Sequence, residues 1–124
     1  FYFKKKFKFF FVVRQINVKK TKILRIIDFY GELNKKYYVK NLLKNFLIKL
    51  NCEYIDFVCY TQQHKTFEDI GFNLLKEKQL IPHHFEPFSL KKKTLKTCIF
   101  VNSYKSNKFI ITKGDGDLDR PNKI

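Results

Sequence analysis

The chain has 124 residues, with 26 Lys and Arg against 11 Asp and Glu, a formal net charge of +15. That length suffices for one small domain with its own core. The longest apolar stretch, Phe9 to Val13, falls far short of the ~20 residues a membrane-spanning helix needs, so no membrane span is expected, and Phe1 to Phe11, which mixes Lys with Phe, does not read as a signal peptide.

Phe7 to Val18 is rich in Phe and Val and predicts a strand. Asn17 to Lys22 is polar and turn-like. Ile23 to Tyr30 is apolar nearly throughout, which predicts a strand buried on both faces and hairpinned to the first. Gly31 ends it. Asn34 to Leu50 carries Tyr38, Val39, Leu42, Leu43, Phe46, Leu47 and Leu50 at helical spacing, with Asn34 as N-cap and Asn51 as stop. Lys36, Lys40 and Lys44 recur every four residues on the far side. Glu53 to Tyr60 predicts a second buried strand. Strand, helix and strand make a βαβ unit, so the two strands are expected to be parallel with a right-handed crossover.

Thr61 to Lys65 reads as a loop. Thr66 and Asp69 resemble a capping box for a short helix with Phe67, Ile70 and Leu74 on its apolar face and Gly71 within it. Ile81 to Phe88 holds two prolines and predicts an extended edge segment. Thr97 to Tyr104 and Lys108 to Lys113 predict strands joined by a turn at Lys105 to Asn107. The α/β order is strand, strand, helix, strand, helix, strand, strand. It forms one domain over residues 1–113, followed by a tail of turn composition over 114–124.

Cys52, Cys59 and Cys98 are odd in number and show no C-x-x-C spacing. They indicate neither a disulfide framework nor a zinc ribbon, and a reducing cytoplasm is the expected setting. His83 and His84 are neighbours on an extended segment, so they point to opposite faces, and His64 stands alone. No metal site is expected. Asp115, Asp117 and Asp119 alternate as in a calcium loop, but Arg120 stands where that loop needs Gly.

The order of elements, the pair Gly71-Phe72 after a short helix, and the tail Gly114-Asp115-Gly116-Asp117-Leu118-Asp119-Arg120-Pro121-Asn122 together resemble the second half of the GNAT acyltransferases, in particular GNAT-like proteins of bacterial surface-polysaccharide clusters. The resemblance runs from about Phe11 onward. It implies a fold whose two central parallel strands splay apart, with acyl-CoA lying in the opening as cosubstrate and its pyrophosphate at the N-terminus of the following helix. The matching stretch holds Tyr30, Gly31, Asn34, Lys35 and Lys36 as candidate binding residues, with Glu32 opposing the lysine charge. It also implies a missing N-terminal part, as does the absence of any Met.

The central strands share a tripeptide, Ile27-Asp28-Phe29 and Ile55-Asp56-Phe57. On neighbouring parallel strands the two carboxylates are expected to lie close together, where burial and mutual repulsion suit a general base for a substrate amine. Alternation places Asp56 with Tyr54, Val58 and Tyr60. Tyr60, at the strand's end, is a candidate proton donor to a departing thiolate. His83 and Glu86 are candidates to line the acceptor groove. The expected function is acyl transfer to a small amine, on a nucleotide-linked amino sugar or an amino acid. Two alternatives stand beside it. Phe-rich strands interleaved with Lys suit a basic module that binds nucleic acid; half a GNAT domain without its first strands would be a catalytically incomplete structural remnant. Only Arg14, Arg25 and Arg120 are arginine, and the Lys, Phe, Ile, Asn and Tyr usage is what an AT-rich genome gives at tolerant surface sites. The lysines are therefore expected to be scattered.

Overall fold

The computed structural model describes residues 2–3, 6–18, 20–75 and 109–115. They make a mixed α/β fold with a small mixed sheet and two helices. β1 (Tyr2–Phe3) and β2 (Lys6–Phe7) pair antiparallel as a short ribbon. β3 (Phe9–Val18) and β4 (Thr21–Gly31) form the long antiparallel hairpin, with a ladder that closes at Val18 and Thr21. The strand expected from Phe7 thus begins at Phe9, because Phe7 pairs back to β1.

β4 is the central strand. Its other edge pairs in parallel with β5 (Tyr54–Phe57), in register from Ile23↔Tyr54 to Ile26↔Phe57. The crossover is α1 (Lys36–Leu50). This is the expected strand–helix–strand unit. It explains why the β4 run is apolar on both faces: Ile23, Leu24 and Ile26 are fully buried, each worth at most about 1.5–3 kcal/mol of transfer free energy.

The core lies between α1 and one face of the sheet. Val39 and Leu43, one turn apart, pack with Phe9, Ile26, Phe29 and Leu33, and α2 (His64–Asp69) and the residue after it add Phe67 and Ile70. The buried stripe of α1 is narrower than its apolar pattern. Tyr38 and Phe46 are exposed, since the short β5 gives the helix little sheet to cover.

Both helix ends follow from local chemistry. α1 starts one residue after Lys35 and not at an Asn34 cap, because the Asn34 side-chain amide donates to Glu32 Oε2 at 2.8 Å instead of turning back to the helix. It stops at Asn51, which adopts φ +51°. There Cys52 N–H donates to Leu47 O at 3.0 Å and Asn51 N–H to Ile48 O at 3.2 Å, a Schellman closure. α2 starts after Gln63, not at Thr66. Gly71 does not sit within it but ends it, at φ +103°, with Phe72 N–H donating to Phe67 O at 3.0 Å and the two rings in edge contact. The Gly71-Phe72 pair is therefore a helix stop and its hydrophobic clasp.

The second central strand is not continuous. It breaks at Val58, and β6 (Cys59–Thr61) leaves β4 to pair antiparallel with β7 (Ile110–Thr112). Where a strand to Lys113 and then a tail were expected, Lys113–Asp115 forms one 3-10 turn. The expected extended segment at Ile81 to Phe88, the strand at Thr97 to Tyr104, its turn, and the tail from Gly116 lie outside the described residues. Among the described residues no helix is long and apolar enough to cross a membrane.

Candidate functional site

The ladder between β3 and β4 shifts at one point. Val12 pairs with Asp28 but Val13 pairs with Ile26, so Ile27 is the extra residue of a bulge in β4. Paired residues on a ladder share a face. Phe9, Phe11 and Val13 therefore align with Gly31, Phe29 and Ile26 on the core face, while Phe10, Val12 and Arg14 align with Tyr30, Asp28 and Arg25 on the other. The bulge brings Asp28 onto the face of Arg25, and through the parallel register onto that of Asp56.

Asp56 is not beside Asp28 in register. It stands opposite Arg25. Arg25 Nε donates to Asp56 Oδ1 at 2.9 Å and to Oδ2 at 3.1 Å, and Nη2 donates to Oδ2 at 2.5 Å. The two side chains are 1% and 9% exposed. Both carboxylate oxygens are thus committed to one guanidinium, the two-pronged geometry that arginine provides and lysine does not.

Asp28 lies past the end of the β4–β5 ladder, half-buried. Its Oδ1 accepts from Phe29 N–H at 2.7 Å and lies 2.9 Å from Thr112 Oγ1. Thr112 N–H donates to Asp115 Oδ2 at 2.7 Å, and Gly114 N–H donates to Thr112 Oγ1 at 3.2 Å. β7 and the turn after it therefore close on Asp28. Tyr60, on β6, is 40% exposed and stacks on Phe109. It stands across from Ile111, and the break at Val58 interrupts the alternation that linked it to Asp56.

The stretch before α1 is arranged unlike an open glycine cradle. Gly31 has φ +116° and packs against the preceding strand: an added Cβ would sit 2.2 Å from Lys8 O. Glu32 N–H donates to that same Lys8 oxygen at 2.9 Å. Tyr30 is 66% exposed and stacks on Phe10. Lys36 Nζ lies 2.6 Å from Asp69 Oδ2, tying the start of α1 to the end of α2, and these charges hold the Asp69 carboxyl below its ordinary range. Lys35 is half-buried at the helix start.

Burial pushes the Cys59 thiol up to about 11, so it is an unionised side chain at neutral pH. His83 and Glu86 lie outside the described residues, as does Cys98. Among the described residues no three His, Cys, Asp or Glu side chains gather to hold a metal ion.

Sequence reasoning missed Arg25, Thr112 and Gly114. Arg25 carried a signal: it is one of three arginines in a lysine-rich chain, set in an otherwise apolar run. Thr112 carried none, because its part depends on a contact 84 residues away in sequence; Gly114 stands out in the sequence only as the first residue of the tail motif, with no sign that it packs on Asp28. Comparison of the chain with protein-family models, with curated proteins and with solved structures finds no match.

Proposed function

We propose that this chain is the second half of a GNAT-like fold and serves acyl transfer from acyl-CoA to a small amine, such as a nucleotide-linked amino sugar or an amino acid. One observation carries the reading. β4 and β5 are parallel and bridged by α1, their ladder ends at Ile26↔Phe57, and beyond it β4 runs on to Gly31 while β6 turns away to β7. A divergence of two parallel strands is where a thioester can lie between backbone donors aimed at its carbonyl oxygen.

The base in this reading is Asp28. It stands at the divergence, and its Oδ2 has no part in the contact with Thr112. Asp56, with both oxygens held by Arg25, fixes the strands instead. The acceptor ammonium gives one proton to Asp28. The neutral amine attacks the thioester carbonyl carbon, a C–N bond forms as the C–S bond breaks, Tyr60 supplies the proton that the departing thiolate takes up, and the second proton shed by the acylated nitrogen returns Tyr60 to its neutral form. Lys35, Lys36 and the first backbone N–H groups of α1 attract the cosubstrate's phosphates, Lys36 from its contact with Asp69. His83 and Glu86 keep their candidacy for the acceptor groove.

The test is direct. The protein is incubated with acetyl-CoA and a panel of amino sugars, nucleotide-linked amino sugars and amino acids, and products are followed by mass spectrometry. The reading predicts an acetylated amine and free CoA in equal amounts. Absence of calorimetric binding of acetyl-CoA, together with no product from any acceptor, would contradict it.

A further inference from the structure

We infer that Thr112 is a positioning residue for Asp28, and that the turn Lys113–Asp115 exists to present the Thr112 hydroxyl to it; this rests on the proposed role of Asp28. Thr112 Oγ1 has one proton and two carboxylate oxygens in reach, Asp28 Oδ1 at 2.9 Å and Asp115 Oδ2 at 3.1 Å. Asp115 Oδ2 already accepts the Thr112 backbone N–H at 2.7 Å. The hydroxyl proton is therefore best spent on Asp28. Gly114 N–H donates to Oγ1 at 3.2 Å, which fills an acceptor position on that oxygen and polarises its O–H toward Asp28.

The result is directional. Oδ1 of Asp28 receives two donors, the Phe29 N–H and the Thr112 hydroxyl. Oδ2 is thereby turned toward Gly114. A Cβ at residue 114 would lie 2.9 Å from Asp28 Cγ and 3.2 Å from Oδ2, so the missing side chain is what leaves room beside the oxygen that takes the substrate proton. Gly114 is exposed, and room there is open to an acceptor. A base held in one orientation meets its proton more often than a rotating one. The chain thus uses Thr112 from its closing strand, with Gly114 and Asp115 from the turn after it, to aim the carboxylate base on its central strand.

The experiment compares wild type, Asp28→Asn, Thr112→Val, Thr112→Ser and the double variant Asp28→Asn with Thr112→Val. Turnover of acetyl-CoA with a working acceptor is corrected for folded fraction by circular dichroism. Thr112→Val should lower kcat about 10-fold or more, the size of a lost hydrogen bond to a charged group, with KM for acetyl-CoA unchanged. Thr112→Ser should restore most of it. Thr112→Val should add nothing in the Asp28→Asn background, since it acts through that carboxylate. Gly114→Ala, whose added Cβ would lie 2.9 Å from both Asp28 Cβ and Cγ and so push that side chain aside, should lower kcat per folded molecule and serves if Thr112→Val folds poorly. An impaired Asp28→Asn beside a fully active Thr112→Val and Gly114→Ala overturns this inference alone. A serine variant as poor as the valine variant also overturns it. Wild-type activity that Asp28→Asn leaves intact removes the proposed base, and this inference with it.

Discussion

Arg25 and Asp56 stand directly opposite each other on the two parallel strands, and a fully buried guanidinium grips both oxygens of the carboxylate. The pair matches one register only, because a slip of one residue would turn each side chain to the opposite face. Its energetic meaning lies in what happens when one partner goes.

Asp56→Asn or Asp56→Ala leaves a buried arginine without its counter-charge. Such losses typically cost about 3–5 kcal/mol, while replacing both partners by apolar residues is far milder. Urea denaturation should show Asp56→Ala strongly destabilised and Arg25→Met with Asp56→Leu much closer to wild type. An Asp56→Asn protein of unchanged stability and lost turnover would show that the pair is not what Asp56 is for.

Gly31 and Gly71 both have positive φ, but they differ in surroundings. An added Cβ at Gly71 meets only the end of the Lys40 side chain, at 3.8 Å, so Gly71→Ala should cost about 1 kcal/mol of backbone strain. At Gly31 the same Cβ would collide with the backbone of β3, so Gly31→Ala should cost several times more and shift the hairpin. Equal losses in thermal melts would contradict this difference.

The Lys36–Asp69 tie gives a pH dependence. The Asp69 pKa is lower in the folded protein, chiefly through its bond to Lys36. Its stabilisation is therefore present above the unfolded value and lost as pH falls below about 4. Lys36→Met should flatten the acid limb of a melting-temperature profile, and added salt should do the same to wild type, because the pair is exposed.

Cys59 gives the opposite limb. Its folded pKa is raised to about 11, so the folded state holds the proton more tightly than the unfolded chain. Stability from this source is intact below the unfolded value of about 9 and declines as pH rises from there toward 11. Cys59→Ala should lose that alkaline decline. At pH 8 the thiol should react with an alkylating reagent far more slowly in the folded protein than in urea.

What was legible in the sequence is what periodicity and composition encode. The hairpin, α1, and the parallel β4–β5 pair follow from apolar runs around one amphipathic helix. Asn51 as a stop follows from its tolerance of the left-handed region. The bulge at Ile27 left no trace, because the run from Ile23 to Tyr30 has no alternation for an extra residue to disturb. The matching tripeptides suggested that Asp28 and Asp56 were equivalent, yet register is a property of two strands together, and it gave Asp56 to Arg25. The break at Val58 was hidden for the same reason: Glu53 to Tyr60 is apolar on both sides of it, and the partner that draws β6 away lies some fifty residues further on.

The most direct test of the account is the contrast between the two carboxylates. Turnover of Asp28→Asn and of Asp56→Asn is measured with acetyl-CoA and a working acceptor, each rate divided by the folded fraction at the assay temperature. The account predicts that Asp28→Asn loses the ~10²–10⁴-fold of a missing general base with little change in stability, while Asp56→Asn loses stability and keeps its turnover per folded molecule. The reverse pattern, or an Asp28→Asn protein as active as wild type, would contradict it.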